Sequence, residues 1–129
     1  MILIVDDDAD LADTCAMLLR FCGYTVAVAL NSKSAIQMMR TKLPQLMLAD
    51  VFMPEITGVE LSAYLKEVYG VVPFPIILMS GTSQHIAAPR KCYDAFLPKP
   101  FFAESLVLEV RNLIGPPRTV LHNTSTAVH

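Results

Sequence analysis

The chain has 129 residues, 53% hydrophobic and 17% charged, which is enough apolar content for one cored domain and far from a disordered composition. Ten basic and twelve acidic residues leave a net charge of −2 with no basic stripe, so direct nucleic-acid binding has no electrostatic support. The longest apolar run, Val71 to Met79, is nine residues interrupted by Pro73 and Pro75, against the ~20 that a membrane helix needs, and a transmembrane segment is excluded. The first residues carry no basic region ahead of their short apolar stretch, unlike a signal peptide. Three cysteines without a CxxC spacing make neither a disulfide scaffold nor a four-thiolate zinc site, so a reducing cytoplasm is the expected location.

Ile2 to Val5 is a continuous apolar run that stops at carboxylates, the pattern of a strand buried on both faces. Asp8 to Cys22 follows with Leu11, Cys15, Leu18 and Cys22 at helical spacing and Gly23 just past the end. Thr25 to Leu30 reads as a strand. Asn31 or Ser32 can cap a helix that runs to about Lys42, before the break at Pro44. Leu46 to Ala49 is a third strand ending at Asp50. Gly58 to Tyr69 is helical, with Val59, Leu61, Tyr64, Leu65 and Val68 as its buried positions. Pro75 to Met79 is a fourth strand ending at Ser80. Ser83 to Lys91 is a weak helix, because Pro89 disrupts its last turn. Ala95 to Leu97 is a short fifth strand ending near Lys99. Ala103 to Ile114 is the final helix, with Leu106, Val107, Val110 and Ile114 on one side, closed by Gly115-Pro116-Pro117.

Alternation of strand and helix predicts an α/β domain: a doubly wound, five-stranded parallel sheet with helices on both faces, the fourth helix short or distorted. This unit covers residues 1–115. Residues 116–129, rich in Pro, Thr, Ser, Asn and His, read as a flexible C-terminal tail or a truncated linker.

Strand C-termini share one edge of such a sheet, and ligand sites form there. Asp6, Asp7, Asp50, Ser80 and Lys99 all fall at that edge. Three close carboxylates repel one another, and a hard divalent cation with oxygen ligands offsets this. A lysine balances charge and a serine hydroxyl can donate to a phosphoryl oxygen. The set suits phosphoryl transfer onto a carboxylate. Asp8, Asp10 and Asp13 instead suit the positive end of a helix dipole. Cys15 and Cys22, the seven methionines and the three histidines read as core filler or as residues without a specific role.

At these residues the sequence resembles the receiver domain of bacterial response regulators, the CheY-like phospho-acceptor half of two-component signalling. The motifs are Val5-Asp6-Asp7-Asp8, Asp50-Val51-Phe52-Met53-Pro54 leading to Gly58, Met79-Ser80-Gly81, and Phe96-Leu97-Pro98-Lys99-Pro100-Phe101. The resemblance implies the strand order 2-1-3-4-5. It makes Asp50 the phosphate acceptor. It has Asp7, Asp50 and the backbone carbonyl of Phe52 bind Mg²⁺ directly, with Asp6 acting through a water. Ser80 and Lys99 are the catalytic contacts to the phosphoryl oxygens, Ser80 and Phe96 form the switch, and the Lys99-Pro100 bond is a candidate cis peptide. Phe52 and Thr82 occupy the positions that tune phosphate lifetime.

Phe96 stands where many members have Tyr, so its ring offers no hydroxyl to a partner. The segment Gly81 to Asp94 is short for the family. The implied partners are a histidine kinase or histidine phosphotransfer protein and an unidentified output partner or output domain. The alternative reading is a receiver-like binding module that works without phosphorylation. A Mg²⁺-dependent phosphatase would need a second acid near Asp50, and Phe52 cannot serve.

Overall fold

The computed structural model describes residues 1–81 and 92–117. Among them the chain runs β1 (Ile2–Val5), α1 (Ala9–Phe21), β2 (Val26–Ala29), α2 (Ser32–Thr41), β3 (Leu46–Asp50), α3 (Gly58–Tyr69), β4 (Ile76–Ser80), β5 (Ala95–Pro98) and α4 (Ala103–Ile114). The helix expected over 83–91, Pro89 within it, and Thr82 lie outside the described residues, as do residues 118–129. The strands form one sheet in the order β2-β1-β3-β4-β5, every neighbouring pair parallel.

The three central strands explain their own placement. β1, β3 and β4 are buried along their whole length, as near-continuous apolar runs require of strands covered on both faces. Alternate residues of β1 point to opposite sides. Ile2 and Ile4 join α1 and α4 in one core, while Leu3 and Val5 join α2 and α3 in the other.

The starts of α1, α2 and α3 are set by short polar side chains, while α4 begins after Phe102 without a side-chain cap. Asp8 Oδ1 accepts from Leu11 N at 3.1 Å. Asn31 Oδ1, rather than Ser32, caps α2 by accepting from Ser34 N at 2.8 Å. Thr57 and Glu60 form a reciprocal capping box on α3. The strands of the pattern hold within a residue or two at each end, and α3 and α4 have the expected bounds.

Two expectations for buried side chains need correction. Leu61 and Leu65 are buried, but Tyr64 and Val68 are 42% and 55% exposed. A helix lying on a sheet buries a limited stripe, and α3 carries more apolar residues than that stripe holds. Met17 is likewise no core filler: it stands 68% exposed on α1, beside Phe21 at 90%.

At the end of the sheet opposite the carboxylates, the side-chain hydrogen bonds go mostly to backbone or to the chain terminus. Tyr24 Oη donates to Gly115 O at 2.7 Å, Arg20 Nη2 to Val26 O at 2.8 Å, and the Met1 ammonium to Gln45 Oε1 at 2.7 Å.

Candidate functional site

Strand register gathers the site. Val5 pairs with Ala49, Asp50 with Met79, and Ser80 with Pro98, so the residues at and just past these ends stand side by side. The ladder continues beyond the strands: Asp6 N donates to Ala29 O, Val51 N to Met79 O and Lys99 N to Ser80 O, at 3.1, 2.8 and 2.8 Å. These bonds fix the backbone that carries the side chains.

Lys99 bridges two of the acids. Its Nζ lies 3.0 Å from Asp6 Oδ2 and 3.2 Å from Asp50 Oδ1. Asp6 is fully buried, and its other oxygen accepts from Asp8 N at 3.0 Å. Asp7 is exposed, and Asp6, Asp7 and Asp50 each bring a carboxylate oxygen within 4.8 Å of the others. Ser80 is buried at the same rim.

The electrostatics are those of crowded like charges. Burial and then the Asp6 charge raise the Asp50 pKa above the usual carboxylate value, with Lys99 pulling it back and Asp7 adding to the rise. Burial works against the Lys99 ammonium, but its hydrogen bond to Asp6 and the charges of Asp50 and Asp6 outweigh that and raise its pKa. One ammonium among three carboxylates leaves a surplus of negative charge. Hard oxygen donors with surplus charge, one of them open to solvent, fit a divalent cation such as Mg²⁺.

The loop after β3 is held from several sides. Gly58 N donates to Val51 O at 2.9 Å, and Ser32 Oγ donates to Ile56 O at 2.9 Å. A Cβ on Gly58 would stand 2.2 Å from Asp50 O, so the approach of α3 to the Asp50 backbone requires glycine. In the sequence Gly58 stands out only as a motif member and helix start, and Ser32 only as a possible cap. Ser32 is in fact buried at the loop, and a serine at a helix start gives no signal of that.

The remaining candidates sit around this centre. Phe52 is 57% exposed. Phe96 pairs in register with Leu78 and is half-buried against the α2/α3 core. The Lys99-Pro100 peptide is cis. Cys15 is a core residue, and burial first, then the Asp6 charge, push its thiol up to about 11, away from reactivity.

The family model of the response regulator receiver domain matches residues 2–111. The chain belongs to the response regulator receiver family. It is 32% identical over 116 residues to the response regulator SaeR of Staphylococcus epidermidis, covering 88% of this chain and 50% of that protein. It is 32% identical over 127 residues to the response regulator MprA of Mycobacterium ulcerans, covering 98% of this chain and 54% of that one. The receiver chain thus spans about half the length of these curated relatives. Among solved structures it resembles the receiver domain of NtrX from Brucella abortus, with a TM-score of 0.79 at 25% identity, covering 88% of this chain and 98% of that one. The response regulator TrrA from Thermotoga maritima, in complex with Mg²⁺-BeF, gives a TM-score of 0.78 at 25% identity, covering 87% and 96%. The doubly wound sheet in the order 2-1-3-4-5 is that of a CheY-like receiver.

Proposed function

We propose that residues 1–115 are a phosphorylation switch in which Asp50 accepts a phosphoryl group. The observation that supports this most is Lys99 Nζ poised between Asp6 and Asp50 at 3.0 and 3.2 Å beside buried Ser80. A carboxylate oxygen of Asp50 attacks the phosphorus of a phosphohistidine on a histidine kinase or phosphotransfer protein. The new O–P bond forms as the P–N bond breaks, and the imidazole nitrogen keeps the electron pair. Asp7, Asp50 and the Phe52 carbonyl would hold Mg²⁺, with Asp6 acting through a water. When bound, Mg²⁺ neutralises the acids and the charge on the transferring group.

Lys99 bridges Asp6 and Asp50 and offsets their repulsion in the resting state, and on transfer its ammonium turns to a phosphoryl oxygen. The Ser80 hydroxyl donates to another. Its shift leaves space that the Phe96 ring fills, and this change reaches an output partner or an output domain of a longer protein. Hydrolysis returns the switch: water attacks phosphorus, the acyl O–P bond breaks, the Asp50 carboxylate re-forms and inorganic phosphate leaves. Phe52, two residues after Asp50 and exposed, restricts this water, and Thr82 is its counterpart two residues after Ser80. Phe52→Asn should speed dephosphorylation; an unchanged or slower rate rejects that role. The chain promotes its own phosphorylation and dephosphorylation but is no metabolic enzyme. Its place is the cytoplasm.

The test is intact mass after incubation with Mg²⁺ and a small acyl-phosphate donor, beside Asp50→Asn. A gain of one phosphoryl group that needs both Mg²⁺ and Asp50 is the expected result. No gain from either donor or a phosphohistidine partner, together with no Mg²⁺ binding, would turn the reading to a binding module that works without phosphorylation.

A further inference from the structure

Three of the apolar residues that α3 leaves exposed border the same hollow beside α2. Tyr64, Val68 and Tyr69 are 42%, 55% and 39% exposed, and they face α2 across a seam. The seam holds two adjoining hollows of about 340 and 100 Å³ that share Ile36, Arg40 and Tyr64. Together they run from Lys33 at the start of α2 to Tyr69 at the end of α3. A 12-residue helix is ~18 Å long, so the seam accommodates three to four turns of a partner helix.

The charged residues that line the two hollows, Lys33 and Arg40, both come from α2. Residues 31–45 contain Lys33, Arg40 and Lys42 and no acid at all. Arg40 forms no ion pair among the described residues, and Lys33 has only an exposed contact to Glu55 at 3.6 Å, which holds it weakly. On the α3 side the Glu60 carboxylate is engaged in the capping box, and neither Glu60 nor Glu67 lines the two hollows. An occupant therefore inserts apolar side chains between the helices and turns carboxylates toward α2.

We propose that the α2–α3 seam is a docking groove for an acidic amphipathic helix of another protein. Apolar anchors at i, i+3 or i+4 and i+7 enter beside Ile36, Tyr64 and Val68, the helix-in-groove mode. Asp or Glu on the flank pairs with Arg40 and Lys33, which sets orientation and on-rate. The groove shares no residue with the carboxylate rim, so it works whether or not Asp50 accepts a phosphoryl group.

The experiment is an amide NMR titration of the full chain with a synthetic helical peptide of about four turns. The peptide carries leucines at i, i+3, i+4 and i+7, with glutamates on its polar flank. A twin has lysine for every glutamate. The acidic peptide should shift Ile36, Gln37, Arg40, Tyr64 and Val68 and bind roughly tenfold tighter than the twin. Arg40→Glu should erase that preference. Val68→Asp, at an exposed position that leaves the fold intact, should remove binding. Shifts centred elsewhere, equal affinity for both peptides, or no saturable binding overturn the proposal. So does self-association of the chain that Val68→Asp abolishes, because the occupant would then be a second copy.

Discussion

The two ends of the sheet solve the problem of buried polar groups in opposite ways. At the end that holds Tyr24, Arg20 and Gln45, side-chain donors and acceptors meet backbone partners or the chain terminus. At the other end, Asp6, Asp50 and Lys99 meet one another, and a third acid, Asp7, joins them. The contacts at the first end hold the fold. The second keeps a charge imbalance that only a bound cation or a chemical change at a carboxylate relieves.

Gly58→Ala should break the second end most severely. The new Cβ meets the Asp50 carbonyl oxygen at 2.2 Å, and backbone on both sides must move. We expect a loss of about 3 kcal/mol in urea unfolding and a phosphorylation defect beyond what the remaining folded fraction explains. Lys99→Met comes next. It leaves the buried Asp6 and Asp50 carboxylates facing each other without their cation. Unfolding in EDTA should show a loss of about 2 kcal/mol, partly restored by Mg²⁺, along with a loss of phosphoryl transfer. An undiminished stability would mean that the bridge is neutral in the resting state.

Tyr24→Phe probes the quiet end. It removes the donor to Gly115 O, and a loss of about 1 kcal/mol is expected by chemical denaturation. Phosphorylation of Asp50 should not change. A change would mean that the two ends communicate through α1 and α4, which both elements of this contact adjoin.

What the sequence made legible follows the same division. The carboxylate rim is readable because apolar strands stop abruptly at Asp6, Asp50 and Ser80, and because register puts strand ends together in any parallel sheet. The contacts that support the rim are not. Ser32 Oγ on Ile56 O and the approach of Gly58 to Asp50 depend on how α2 and α3 lie against the loop, which local pattern does not encode. Tyr64 and Val68 fail for a related reason. Helical periodicity marks which residues share a face, but the width of that face that the sheet covers is set by the neighbouring helix. The Tyr24 contact spans 91 positions and left no trace in spacing.

The smallest effect expected is the most diagnostic of the imbalance. Burial and the Asp6 charge raise the Asp50 pKa, and Lys99 only partly counters them. A carboxyl whose folded pKa is raised contributes stability below its unfolded pKa of about 3.9, and this is lost as pH rises through the folded value. At neutral pH without metal, ionised Asp50 is therefore a net cost to the fold. Asp50→Asn removes it, and in EDTA the variant should melt about 4 °C above the wild type, a gain on the order of 1 kcal/mol. The difference should shrink as pH falls through the raised Asp50 pKa, where the wild-type carboxyl takes up its proton. Millimolar Mg²⁺ should then reverse the order at neutral pH, since a ligand that binds only the folded state stabilises the chain with the complete carboxylate set more. If Asp50→Asn melts lower in EDTA at every pH, the Lys99 bridge outweighs the crowding, and the rim is as well satisfied as the opposite end.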